Sequence, residues 1–291
     1  MIMTTEHMSI KVKSSLARPA IPEGGRAAHD SQGATISRGT RFQVGLLRIV
    51  YRRIVRRAAR EALEGRAIHP RQLEKGRWLH KDVSEFLDHV WDEVGRLIPI
   101  AKLDEVPTIG NRHNVFLAIV TTAAYRCLLQ TGTGRKYAMQ LVSDVGWKVY
   151  ARMLALAVLP FRWMGDAQRR MNSTLRSLLR FPFSAPGRPG YEVEAWEDRE
   201  GFHTHWTYCP PQAFVRELIQ QKDSGELEAF YRSWCLYDWA AADLLVNDGR
   251  RGHYKRPHTL SRGDAICDMC WVARTGTGGV VPPPGRSGRK K

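Results

Sequence analysis

The chain has 291 residues, 43% of them hydrophobic and 25% charged. That composition suits one large or two modest globular domains and excludes a wholly disordered polypeptide. Forty-five basic against 29 acidic side chains leave a formal net charge of +16, which favours anionic partners without fixing a fold or an activity. The cysteine count of five is odd, and no apolar leader ends in a small-residue cleavage site. Export and a disulfide framework are therefore not expected, and a cytoplasmic protein with reduced thiols is. The most apolar run, Met153 to Phe161, meets Arg162 and is too short to span a bilayer, so no transmembrane segment is expected.

Residues 1–40 lack periodicity and read as a disordered leader. Region 41–180 reads as helical. Leu47, Val50, Tyr51, Ile54, Val55, Ala58 and Ala62 fall on one side of a first helix, and Arg48, Arg52, Arg53, Arg56, Arg57 and Arg60 on the other. Leu79, Val83, Phe86, Leu87, Val90, Trp91 and Val94 mark a second helix. Asn114 to Leu129 reads as a buried helix stopped near Gly132, and Ser143 to Leu159 as one ending before Pro160. The stretch 181–190 (FPFSAPGRPG) reads as a linker loop.

Residues 191–273 change character. Tyr191–Trp196 and Phe202–Tyr208 alternate around a turn-like 197–201, which is a hairpin pattern. Pro210-Pro211 opens a helix, since proline suits a first turn whose N–H groups have no partner. Glu226 to Val246 reads as one further helix. His258–Leu260 and Ala265–Ala273 read as two short strands. The expected fold is therefore α+β: an N-terminal helical bundle, then an antiparallel sheet with two helices in ββααββ order. Residues 274–291, with a Pro282–Pro284 run, read as a disordered basic tail.

Cys209 ends a strand directly before a helix N-terminus, a place that favours a thiolate. Period-two alternation puts His203, His205, Thr207 and Cys209 on one strand face and Phe202, Trp206 and Tyr208 on the other; a solvent-facing sheet with ordinary histidines explains the two imidazoles equally well. Cys235 and Asp238, three apart on a helix, point the same way. A carboxylate among Trp234, Leu236, Trp239 and alanines needs a partner or a purpose, whereas Cys235 is equally readable as a small core residue. Cys267 and Cys270 spell CxxC, but on a strand they face opposite sides, and neither a second pair nor a chelating turn is present. A composite zinc site of Cys209, Cys235, Cys267 and an imidazole stays open.

The Arg48–Arg60 face reads as a solvated bundle surface with scope for non-specific anion contact. No specific nucleic-acid motif is present, nor a Walker loop, GxGxxG, HExxH or GxSxG.

Tyr208-Cys209-Pro210, Cys235-Leu-Tyr-Asp238, Thr259-Leu260-x-x-Gly263 and Cys267-Asp268 follow one another in this order. Together they resemble the signature of the bacterial L-2-amino-thiazoline-4-carboxylic acid hydrolase family, over about 45–273. Met269 stands where that pattern has an aromatic residue, and Cys127 and Cys270 lie outside it. The resemblance implies a hydrolase of cysteine metabolism that opens a small cyclic amidine or thiazoline by adding water at the ring carbon between sulfur and nitrogen. It implies Cys209 as nucleophile or positioner, Asp238 handling the proton, Cys235 and Cys267 lining the pocket, and His205 or His258 as auxiliary acid. Two other classes fit the same plan: a non-catalytic small-molecule or metal-binding module of the 4-vinyl reductase-like kind, and a specialised-metabolism enzyme acting on another heterocycle.

Overall fold

Five long helices lead the described residues, each bounded by local chemistry. The computed structural model describes residues 36–69, 76–220 and 222–273, all within one compact unit. Most of the expected leader and all of the expected basic tail lie outside these residues. Helix α1 (Arg38–Leu63) starts inside the segment read as leader, because Ser37 accepts a hydrogen bond from the Thr40 N–H and is itself held by Asp104. Helices α2 (His80–Leu97), α3 (Ile109–Gln130) and α4 (Arg135–Val158) follow. Gly132 takes a positive φ of 80° just beyond α3, which is the expected stop. Pro160 lies in a single 3₁₀ turn that ends α4. Helix α5 (Ala167–Arg180), capped by Asp166, had no separate signature in the sequence.

Helix α1 packs on α4, and α2 on α3. Their buried faces carry Tyr51, Val55, Val83, Val90, Phe116, Ile119 and Leu141. That core continues without a break into Phe214, Val215, Ala229 and Phe230 of the second half. The 181–190 connection is pinned to α3: Asn111 donates to the Pro182 and Ser184 carbonyls and accepts from the Tyr191 N–H. Gly110 permits this approach, since a Cβ there would lie 2.6 Å from the Pro182 oxygen.

Strands β1 (Glu192–Glu197) and β2 (Phe202–Tyr208) form the expected hairpin. Helix α6 (Pro210–Leu218) opens on its two prolines. The single helix expected over Glu226–Val246 is divided instead. A π turn at Tyr231–Cys235, closed by the Leu236 N–H on the Tyr231 carbonyl, separates α7 (Glu226–Phe230) from α8 (Tyr237–Val246). The third expected strand also moves. The strand read at His258–Leu260 is β3 at Tyr254–Lys255, and Leu260–Arg262 is a 3₁₀ turn ended by Gly263 at φ +97°. Strand β4 is Cys267–Trp271. The α+β class with an antiparallel four-stranded sheet stands, in order β1-β2-β4-β3; between the strand pairs lie three helical segments rather than two.

The sheet's inner face pairs Phe202 with Trp271, Thr204 with Met269 and Trp206 with Cys267. Helix α5 ties it to α8: Arg170 donates to the Leu245 and Val246 carbonyls at the α8 C-terminus, and Gln168 accepts from the Ala273 N–H. Met171, Leu175, Leu245 and Tyr254 fill the space between.

Candidate functional site

A cavity of about 130 Å³ lies between the sheet and helices α4 to α8, and Cys209, Cys235, Cys267 and Asp238 all line it. Residues separated by up to 58 positions thus meet in one place. Each arrives by a different local device.

Cys209 reaches the cavity through a β-bulge. Val193 pairs with Trp206 but Glu192 with Tyr208, so Thr207 is an extra residue on β2. The bulge resets the alternation. Thr207 and Tyr208 both contact β1-side groups, the Thr207 hydroxyl donating to Glu192 and the Tyr208 ring lying under Arg188. Cys209 then falls with Trp206 on the cavity side. The expected sharing of a face by Cys209 and the two histidines is therefore corrected. So is the expected acidic thiol: burial drives Cys209 well above the usual thiol range, with the Gln212 N–H opposing it. Pro210 and Pro211 occupy the first two helical positions, which removes two of the donors that would have stabilised a thiolate.

Cys235 closes the π turn and Asp238 lies in the first turn of α8, so the irregular turn aims both at the cavity. Such turns recur where a side chain must be re-aimed for function. The partner that Asp238 needed is Arg256, whose Nη1 donates to Oδ2 at 2.9 Å, while Tyr254 donates to the same oxygen at 3.3 Å. Arg256 also donates to the Cys235 carbonyl at 2.9 Å and stacks over Trp239, 4.6 Å from the ring centre. Burial raises the Asp238 carboxyl to about 6, with Arg256 and Tyr254 pulling against it. A carboxyl so placed is ionised at neutral pH yet accepts a proton readily. Burial likewise pushes the Cys235 thiol to about 11, with Arg256 opposing.

The Thr259-to-Gly263 turn holds the remaining thiol. The Leu260 N–H donates to Cys267 Sγ at 3.2 Å, and Thr259 Oγ1 lies 3.3 Å from the same sulfur. Ser261 Oγ sits 3.3 Å from Cys235 Sγ. One short turn therefore touches two of the three sulfurs, and Gln212 fixes it from α6 through the Leu260 carbonyl. Burial also raises Cys267, against the Thr259 and Leu260 contacts.

Four cavity-lining side chains carry buried polar atoms without a hydrogen-bond partner: Thr204 Oγ1, Trp206 Nε1, Arg256 Nε and Trp271 Nε1. Three are pure donors. Unmet buried donors cost free energy.

The histidines do not join this group. His205 lies on the opposite face of β2, its ring edge-on to Trp196 at 4.5 Å between centres. His203 stacks on that same indole and meets Asp198. His258 is exposed, with Nδ1 2.7 Å from Asp268, and that carboxylate raises its pKa. The bulge explains the first displacement and the 3₁₀ turn at Leu260–Arg262 the second. The composite zinc site loses its imidazole, and among the described residues no group of three or more His, Cys, Asp or Glu side chains is gathered to hold a metal. Cys267 and Cys270 face opposite sides of β4, Cys267 alone lining the cavity.

On α1, Arg52, Arg53, Arg56 and Arg57 are exposed. Arg48 donates to the Trp91 carbonyl, Arg52 stacks over the Trp91 ring and Arg57 pairs with Glu61. No helix among the described residues is long and apolar enough to cross a membrane.

Sequence reasoning missed Arg256, Tyr254, Ser261 and the tryptophan donors. Only the unexplained buried carboxylate at 238 pointed towards a cationic partner. The fold and cavity together define an α+β protein with a thiol, carboxylate and guanidinium site. Comparison finds no family model, curated protein or solved structure that matches the chain.

Proposed function

We propose that this protein is a hydrolase that opens a small cyclic amidine or thiazoline, of the L-2-amino-thiazoline-4-carboxylate type, with Cys209 as nucleophile. The supporting observation is the meeting of three cysteines and the Asp238–Arg256 pair in one cavity with unmet donors. An amidine presents two N–H groups in the plane that a carboxylate accepts, so Asp238 suits its recognition. Arg256 Nε and the indole N–H groups of Trp206 and Trp271 suit a substrate carboxylate.

The neutral thiol fits a concerted start. Its proton passes to the ring nitrogen as sulfur adds to the carbon between nitrogen and sulfur. The ring C–S bond then breaks as the exocyclic amino group forms a C=N bond, the departing sulfur takes the proton this nitrogen gives up, and an isothiourea is left on Cys209. Water adds to that carbon while Asp238 accepts its proton, and the Cys209 C–S bond breaks to restore the thiol. Net, one water is consumed and an N-carbamoyl aminothiol is released. His205 and His258, which stand outside the cavity, have no part in this scheme.

Incubation with a panel of thiazolines and cyclic amidines, followed by mass, tests the reading. Turnover is expected for wild type and its loss in Cys209→Ala and Cys209→Ser with folding intact; near-normal turnover in either variant removes the nucleophile role. A second reading, a non-catalytic carrier, draws on the raised pKa of all three thiols. It predicts stoichiometric binding of panel members without turnover.

A further inference from the structure

We infer that the ligand of this site carries a sizeable apolar substituent, an alkyl chain or aryl group, housed in a second cavity inside the helical bundle; this rests on the amidine reading only for the identity of the polar head. The second cavity measures about 310 Å³, within the range of small-molecule pockets, whereas the thiol cavity alone falls below it. Its walls are almost wholly aliphatic and aromatic, drawn from α1 to α5, the 181–183 connection, the π turn and the start of α8.

The two cavities are neighbours. Tyr150, Leu178, Phe183 and Trp234 line both, so a ligand with its head among the sulfurs has its apolar end at that shared wall. A core packs to crystal-like density when nothing is meant to fill it, and a void of this size beside a reactive centre is space reserved for part of a ligand. A polar side chain also belongs to this cavity. His113 is buried and its Nε2 lies against the Tyr51 hydroxyl. His113 lines the bundle cavity and not the thiol cavity. A bare aminothiazoline carboxylate leaves this whole space empty.

The test uses the full-length protein and a series of linear amidines: acetamidine, hexanamidine and decanamidine, titrated calorimetrically. Burial of each methylene is expected to tighten binding by about fourfold, levelling off once the cavity is full. Ala124→Phe on α3 and Ala157→Phe on α4 each place a ring in the bundle cavity; either should abolish the chain-length gain while leaving acetamidine affinity unchanged. Two sites are used so that one misfolded variant does not decide the matter. The headless probe 1-octanol separates the two claims. Octanol binding that the filling variants abolish, with no binding of any amidine, upholds the tail cavity and overturns the amidine head. Affinity independent of chain length in wild type, together with no octanol binding, overturns the tail cavity whatever the head proves to be.

Discussion

Replacing Arg256 by Met isolates the electrostatics of the cavity. Arg256 is 1% exposed and Asp238 18% at the side chain, with 2.9 Å between their charged atoms. Removing one partner of such a pair strands the other, a loss of about 3–5 kcal/mol. Part of that cost depends on pH, and its sign follows from the Asp238 carboxyl, raised from 3.8 to about 6. Without the guanidinium that opposes burial, the carboxyl climbs further. At pH 7.5 the variant must therefore hold a proton that wild type has released, whereas at pH 5 both are protonated. The variant's deficit should be about 2 kcal/mol smaller at pH 5 than at pH 7.5, the span between about 6 and the assay pH. Adding Asp238→Asn should recover a similar amount at pH 7.5. Urea unfolding of the wild type, the single variants and the double variant at both pH values measures this. Equal deficits at the two pH values, or a double variant less stable than Arg256→Met, would refute the coupling.

Because the folded Asp238 binds a proton that the unfolded chain releases, its contribution to stability is lost as pH rises from about 4 to about 6, by roughly 3 kcal/mol; Asp238→Asn should flatten that segment of the stability profile measured by thermal melts. Turnover of any panel substrate should fall below about pH 6 as the carboxylate takes its proton, a titration visible in a pH–rate profile. His258→Asn and His205→Gln should leave turnover within about twofold of wild type in the same assay, since neither ring reaches the cavity; a hundredfold loss would return the histidines to the mechanism. Gly110→Ala should cost about 1–3 kcal/mol by chemical denaturation, because the added Cβ has only the Pro182 backbone to push against.

Much of this molecule was legible as pattern. Apolar residues at three- and four-residue steps marked α1 to α4, alternation marked the β1–β2 hairpin, and Pro210-Pro211 marked the start of α6. The convergence of Cys209, Cys235, Cys267 and Asp238 was reached through the order of short motifs, since no local rule brings positions 209 and 267 together. What escaped was irregular. A bulge adds one residue at Thr207 and reverses the face on which Cys209 lies, which undid the row of histidines and thiol. A π turn at Tyr231–Cys235 split a helix that periodicity read as continuous. Arg256 follows a two-residue strand, too short for any period, so its pairing with Asp238 left no trace beyond the oddity of a carboxylate among tryptophans. The bundle cavity is invisible for another reason: its lining residues read as ordinary core, and a sequence does not report how well they pack.

The most direct measurement is acid-quenched mass spectrometry of the intact protein during turnover of a panel substrate, with peptide mapping of any adduct. The account predicts a ring-opened isothiourea on Cys209 and unmodified Cys235 and Cys267. An adduct on another residue, or full turnover by Cys209→Ala with no adduct at all, would contradict it.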